Sequence, residues 1–316
     1  MKLLLIGDIM LGRLYNDKFK ETSKEKSNTY LLKIYESVWG DSIDFFNNAD
    51  LIIGNLEMTI TDADKLWPDK IFNYKLNPKY KDIFKVFSKK TIVNTANNHI
   101  LDFQKKGMLD TFDNLKQLNI EHIGSGPHYL IAKQPILTTV KKIKILVFGA
   151  SDHYDYWTVG ITTKLKKKEG VHFVDIKNND TQNILKYVKY KINAIEPDFT
   201  IFSCHCGPNT VLKIDKNIQS FAKNLIDNGV DIFHGHSAHH IIPYEIYNSC
   251  LIFYSLGDFI DDYDHSGPNN KQLSYMVELN LTKTKQEFMI HLFDHSNMTT
   301  KLIEFNTKKN INSHIV

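Results

Sequence analysis

This sequence predicts an α/β protein built on a mainly parallel sheet, and three observations carry that prediction. Short apolar runs alternate with helical patterns through the first half. Further β-rich segments crowd the second half. Ligand-type polar side chains recur where the expected strands end, which is where open α/β sheets bind their ligands.

The first strand is Lys2–Ile6, ending at Gly7-Asp8. Residues 20–29, KETSKEKSNT, are polar and read as a mobile loop. Ile43–Asn48 suits a helix and Asp50–Gly54 a strand. Pro78–Phe87 suits a helix, with Tyr80, Ile83, Phe84 and Phe87 on one face. Thr91–Thr95 is a strand. Gln104–Leu118 places Met108, Leu109, Phe112, Leu115 and Leu118 at helical spacing, and Ile120–Ile123 is a short strand. Helices over Asn179–Ile192 and Ile218–Asn228 each precede a strand, Phe199–Ser203 and Val230–Phe233. Pro135–Val140, Ile143–Phe148, Ile241–Tyr247, Leu251–Tyr254 and three runs in Ser274–Phe305 read as antiparallel strands. With no repeat and no clear linker, a single domain over 1–316 is expected.

Composition narrows the function. With 39 basic and 36 acidic residues among 316, the net charge is +3, which gives no reason to expect a nucleic-acid or membrane-surface partner. The three cysteines are too few and too oddly spaced for a disulfide framework. Cys204 and Cys206 alternate with His205 on one strand, so both point away from it as buried thiols. The opening MKLLLIGD is too short for a signal-peptide core, and no run of about eighteen apolar residues exists to span a membrane. A cytoplasmic protein is expected. Trp39, Trp67 and Trp157 read as core or rim packing.

The strand ends carry the chemistry. Asp8 and Arg13 follow the first strand, and Asn55 and Glu57 the second. Asn94, Asn97, Asn98 and His99 follow the third, and His205 lies in SCHCG. His234, His236, His239 and His240 stand in HGHSAHH, and Asp258 in SLGDF. Carboxylate, carboxamide and imidazole at one sheet edge are oxygen and nitrogen ligands for a divalent metal such as Zn, Mn, Fe or Ni. Asp258, Asp261 and Asp262 form an acidic patch read as an outer layer or a grip on amines.

The blocks GDIMLGR, NLEMTIT, ANNHILDFQKKGMLDT, GSG, HCGPN, DIFHGHSAHHIIPYEIY and IFYSLGDFIDDY, in this order from Leu3 to Tyr263, resemble the CapA family of capsule and poly-γ-glutamate synthesis proteins. That family is similar to the calcineurin-like metallophosphatases. The resemblance implies a metallophosphatase-like four-layer α/β/β/α sandwich with a β-rich C-terminal part, holding one or two divalent ions (Mn, Zn, Fe, Ni or Ca). By motif, Asp8 is the first metal ligand and Glu57 the bridging carboxylate. Asn98 and His205 bind the second metal, and His236 and His239 supply closing imidazoles. His99 is the general acid or a donor to the substrate oxyanion.

Three positions depart from the phosphatase pattern. Asp8-Ile9-Met10 lacks the imidazole of Asp-x-His, Glu57 stands for an aspartate, and His236 and His239 are three apart instead of two. These leave open a mononuclear site, and which of His234, His236, His239 and His240 bind.

Asp102 either orients His99 or caps the helix that follows. Arg13 either grips a carboxylate or phosphate, or forms a surface ion pair. The leading expectation is hydrolase-type chemistry on an anionic amide or phosphate-bearing substrate linked to capsule or poly-γ-glutamate metabolism. A metal-dependent epimerase acting on a small ribosomal peptide is the alternative. A non-catalytic assembly subunit binding a glutamyl polymer is the third.

Overall fold

Leu3, Leu5, Leu51, Ile53 and Ile92 share one buried cluster with Ile145, Val147, Ile201, Ile232 and Phe253. These are alternate residues of central strands, so a period of two aims them all between two facing sheets. The structure, a computed structural model, describes residues 1–25, 28–153, 169–211, 213–263, 271–283, 286–305 and 309–310. In the nine-stranded sheet, Lys2–Ile9, Leu51–Leu56, Lys90–Asn94 and Ile120–Ile123 run parallel in that order. The antiparallel strands Leu273–Leu281, Gln286–Asp294 and Lys301–Phe305 extend it beyond Lys2–Ile9. In the six-stranded sheet, Ile143–Ser151, Phe199–His205, Ile232–His236 and Cys250–Phe253 run parallel. Ile136–Val140 and Glu245–Tyr247 flank them antiparallel.

The intervening residues of the same strands face helices. Leu4, Ile6 and Ile52 pack with Tyr15, Phe19, Val38, Trp39 and Phe46 of three helices, Arg13–Glu25, Asn28–Trp39 and Ser42–Asn48. Phe148, Phe202, Cys204 and Phe233 pack against the helices Gln182–Ile195 and Lys216–Asp227. The second of these helices buries Ile218, Phe221, Ala222, Leu225 and Ile226, the i, i+3, i+4, i+7, i+8 stripe of an amphipathic helix. Asp215 starts it, accepting a 2.7 Å hydrogen bond from the Asn217 N–H. Helix, sheet, sheet, helix is the four-layer α/β/β/α order. Burial on both faces is why strands such as LLLI read as continuous apolar runs.

Several local expectations need correction. Residues 20–25 and 28–29 are helical, not a mobile loop, while 26 and 27 lie outside the described residues. The two helices meet through Phe19 and Tyr35, ring centroids 5.1 Å apart. Ile143–Ser151 and Cys250–Phe253 pair parallel with their inner neighbours, not only antiparallel. The helix Gln182–Ile195 makes the crossover that parallel pairing requires after Ile143–Ser151. Ile241–Tyr247 divides into Ile241–Ile242 and Glu245–Tyr247, which pair with different strands on either side of Pro243. Pro78–Val86 is a 3₁₀ helix. Trp39 is core, its indole N–H donating to the Ile83 carbonyl at 2.8 Å; Trp67 packs beside Ile100 and Met108; Trp157 lies outside the described residues. Cys204 and Cys206 sit in the outer core, on the face opposite His205. Among the described residues no helix is long and apolar enough to cross a membrane.

One glycine lets two backbones meet at the sheet edge that carries Asp8. A Cβ at Gly7 would lie 1.8 Å from the Gly257 carbonyl oxygen, because the chains carrying Asp8 and Asp258 approach there at backbone distance. Gly7→Ala is expected to destabilise by more than the roughly 1–3 kcal/mol typical of overpacking, since backbone must move. Its urea midpoint against wild type checks this.

Candidate metal centre

Parallel register gathers the ligand-type residues. Asp8 is level with Asn55 and with Asp258 on either side, Asn55 with Asn94, and His205 with His236. All but Asp258, which opens its short strand, lie at C-terminal strand ends, so side chains from both sheets converge on one edge. Two overlapping groups form there, Asp8 with His205 and His236, and Asp8 with Glu57, His239 and Asp258; within each, the potential ligand atoms lie within 4.8 Å of one another.

Asn55 Nδ2 donates to Asp8 Oδ1 at 2.7 Å, and the Ser237 N–H donates to Asp8 Oδ2 at 3.2 Å. The Nδ1 atoms of His205 and His236 are 2.9 Å apart and lie 3.9 and 3.8 Å from Asp8 Oδ1. On the far side of the His236 ring, Nε2 lies 3.0 Å from Ser203 Oγ. With that nitrogen donating to the hydroxyl, Nδ1 keeps its lone pair for the cluster. Glu57 sits centrally, with Oε1 3.7 Å from His205 Nε2 and 3.9 Å from His99 Nε2, and Oε2 3.8 Å from His239 Nδ1. His239 Nδ1 also meets Asp258 at 2.9 and 3.1 Å. Ser237 and His239 hold φ of 108° and 56°, conformations that cost side-chain-bearing residues on the order of 1–3 kcal/mol and cluster at functional sites.

The electrostatics of this arrangement favour a cation. Burial, then the Asp258 charge, pushes the Asp8 carboxyl up to about 8. Burial and the neighbouring carboxylates push Glu57 and Asp258 well above the carboxylate range. Burial and adjacent imidazoles hold His205 well below its ordinary value, and His236 likewise. Both Glu57 carboxylate oxygens, Asn98 Oδ1 and His205 Nε2 are buried with no hydrogen-bond partner in the protein. Orphaned buried acceptors are costly, and a carboxylate, carboxamide and imidazole set fits a divalent metal.

Metal-free stability should therefore depend on pH in a defined way. A carboxyl raised in the folded state contributes stability at low pH that is lost as pH rises to its folded value. The lowered histidines act oppositely, losing stability as pH falls below about 6.5, their unfolded value. About one pH unit above that value the histidines are neutral in both states, and the raised carboxylates set the slope. Asp8 alone should then remove roughly 1.4 kcal/mol per pH unit up to about 8. Urea midpoints between about pH 7.5 and 8.5 should fall without metal and flatten when Mn²⁺ is added.

His99 and Asp102 stand at the mouth. The turn after Lys90–Asn94 brings His99 Nδ1 to 2.7 Å from Asp102 Oδ2. Asp102 therefore orients His99 and does not cap the helix, whose N-cap residue is Phe103. Burial lowers His99 to about 4. Arg13 is partly exposed, with Nε 3.7 Å from Asp262 Oδ1 and its guanidinium 6.0 Å from the Tyr74 and Tyr263 rings. A cavity of about 410 Å³ opens here, lined by Lys70, Tyr74, Asn98, His99, His239 and Tyr263 among others.

Of the four clustered histidines, His236 and His239 reach the centre. His234 is held between Ser203 Oγ at 3.2 Å and the Ile6 carbonyl at 3.0 Å, and His240 meets the Ala238 and Val211 carbonyls. Asp258 joins the cluster instead of an outer layer. Asp261 pairs with His295 at 3.0 Å, and Asp262 accepts from the Leu14 N–H. Lys70, Tyr74, Tyr263 and His153 were not picked out in the sequence. His153 follows the Ile143–Ser151 strand, so the strand-end rule applied there would have found it; its Nε2 is 2.9 Å from Ser237 Oγ. Lys70 comes from a loop with no local signal.

The fold is a metallophosphatase-like four-layer sandwich that carries carboxylate, carboxamide and imidazole groups at one sheet edge. The family model described as "Bacterial capsule synthesis protein PGA_cap" matches residues 2–263, and the chain belongs to that family. Among its relatives is a probable polyglutamine synthesis accessory protein of Mycobacterium tuberculosis, 28% identical over 305 residues, covering 89% of this chain and 80% of that one. Another is the capsule biosynthesis protein CapA of Bacillus anthracis, 26% identical over 269 residues, covering 83% of this chain and 60% of that one. Among solved structures, Vps29 of Entamoeba histolytica complexed with Zn²⁺ aligns over 99% of this chain and 100% of its own, at 8% identity and a TM-score of 0.35.

Proposed function

We propose that this chain is a metal-dependent enzyme of the CapA type, acting by hydrolase-type chemistry on an anionic amide or phosphate-bearing substrate in capsule or poly-γ-glutamate metabolism. The observation that carries this reading is Glu57, a wholly buried carboxylate with both oxygens orphaned at the centre of the cluster. Asp8, Glu57, Asn98, His205, His236, His239 and Asp258 would hold one or two divalent ions. When bound, the metal supplies Lewis acidity toward a phosphoryl or carbonyl oxygen and a more acidic water.

The chain's own groups do the rest. Asn55 fixes Asp8, and Ser203 fixes His236. His99, held by Asp102, presents Nε2 to the reacting centre for proton transfer. Arg13 stands at the rim, where a substrate carboxylate or phosphate would enter. Burial of the whole cluster excludes bulk water and strengthens each of these interactions.

The test is to incubate Mn²⁺-loaded protein in D₂O with γ-glutamyl oligomers, phosphate esters and short peptides. Chelator-sensitive cleavage supports the proposal. Deuterium incorporation into a peptide without cleavage would replace hydrolysis with epimerisation. The word "accessory" in the mycobacterial relative's name favours a binding subunit as the second reading. Tight binding of a glutamyl oligomer without any turnover would establish that reading and overturn the enzyme.

A further inference from the structure

Asp102 is the knot of the site's mouth. Its Oδ1 takes a hydrogen bond from Lys70 Nζ, and its Oδ2 takes one from the Tyr74 N–H at 2.6 Å. Its carbonyl takes another from the Trp67 N–H at 2.7 Å. The loop between Thr61 and Tyr74 is thus pinned at Trp67, Lys70 and Tyr74 to the same residue that touches His99. The Tyr74 ring stacks on the His99 ring at 4.2 Å. Lys70 is the inward-facing member of this loop. Its side chain is 8% exposed, while its neighbours Ile71 and Phe72 are 87% and 63% exposed. Lys70 Nζ also donates to the Phe72 carbonyl at 2.8 Å, which closes the loop's tip on itself.

His99 Nδ1 faces two groups of opposite chemistry, Asp102 Oδ2 at 2.7 Å and Lys70 Nζ at 3.0 Å. An ionised carboxylate only accepts hydrogen bonds and an ammonium only donates them, so a single ring nitrogen can serve one of them. The carboxylate contact is the shorter, and Lys70 already has the Asp102 and Phe72 oxygens to donate to. Without its cation the buried carboxylate keeps the Tyr74 N–H but is driven to take up a proton, and a protonated Asp102 no longer fixes the proton on Nδ1.

We propose that Lys70 is a positioning residue for His99. By gripping Asp102 Oδ1 it locks the carboxylate so that Oδ2 accepts the Nδ1 proton, and His99 presents an unprotonated Nε2 toward Glu57. Lys70 acts through Asp102, and its charge also reaches Glu57. The consequence for chemistry is direct: His99 is set to accept a proton or a hydrogen bond at Nε2, not to give one. This inference rests on the reading of His99 as the working imidazole of the site.

The experiment uses the full chain with ¹⁵N-labelled histidine rings, metal-free and Zn²⁺-loaded, with His99 identified by its loss in His99→Gln. Two-bond ¹H–¹⁵N spectra distinguish the two tautomers. Wild type should show the Nδ1–H form of His99. Lys70→Met should lose it, both ring nitrogens moving to tautomer-averaged positions, and Lys70→Arg should restore it. A wild-type spectrum with the proton on Nε2 overturns the proposal without any variant. So does a Lys70→Met spectrum that keeps the wild-type Nδ1–H signature. Calorimetric titration of the same samples with Zn²⁺ separates the two claims. A wild type that binds no metal overturns the proposed function, while the tautomer result still decides the role of Lys70.

Discussion

Glu57→Gln should cost the protein more divalent-metal affinity than the roughly 10–100-fold seen when outer partners of metal ligands are removed, while making the metal-free chain more stable. The two effects have opposite signs for one reason. Glu57 lies within 4 Å of His99, His205 and His239, so it is the group best placed to be shared between two ions. A carboxamide keeps the shape and loses the charge that a divalent ion needs. Without metal, however, the ionised carboxylate is buried beside Asp8 and Asp258, and folding must protonate it or bear the repulsion. Gln removes that cost. Calorimetric titration with Mn²⁺ and urea midpoints at pH 8 measure both effects on one sample. A variant that binds metal as wild type does would remove Glu57 from the centre.

His99→Ala should leave Mn²⁺ affinity in place and lower turnover by roughly 10²–10⁴-fold, the range for loss of a positioned proton-transfer group. The substitution leaves no charge orphaned, because Asp102 retains Lys70 and the Tyr74 N–H. The stacked contact with Tyr74 is lost, so a modest loss of stability accompanies the kinetic effect. Chelator-sensitive turnover on the substrate identified in the D₂O experiment is the readout. A His99→Ala enzyme with wild-type rate would confine His99 to packing.

Much of this site was legible in the sequence because parallel strands carry their chemistry at one end. Asp8, Glu57, Asn98, His205 and the 234–240 segment each follow an apolar run, and register alone brings Asp8 level with Asn55 and Asp258. The pairing of His99 with Asp102 was legible as an i, i+3 spacing, once the turn proved compact. What was not legible depends on distant chain. Asp258 entered the cluster because its strand lies beside that of Asp8, a pairing across 250 positions that no local pattern encodes. His234 and His236 share a strand face, yet one meets the Ile6 carbonyl and the other the cluster, and only the opposing sheet decides which. The helical course of residues 20–25 and 28–29 is not legible because polar residues dominate that stretch of sequence, while the packing is held by Phe19 and Tyr35 outside it.

We take the converging carboxylates and imidazoles to form a divalent-metal centre. Anomalous diffraction from crystals of the Mn²⁺-soaked protein tests it most directly. One or two anomalous peaks are expected within about 2.0–2.6 Å of oxygen or nitrogen atoms of Glu57 and Asp8, with His205, His236, His239, Asn98 or Asp258 completing the shell. No peak at this edge at saturating Mn²⁺, with Glu57 and Asp8 protonated against each other, would contradict it.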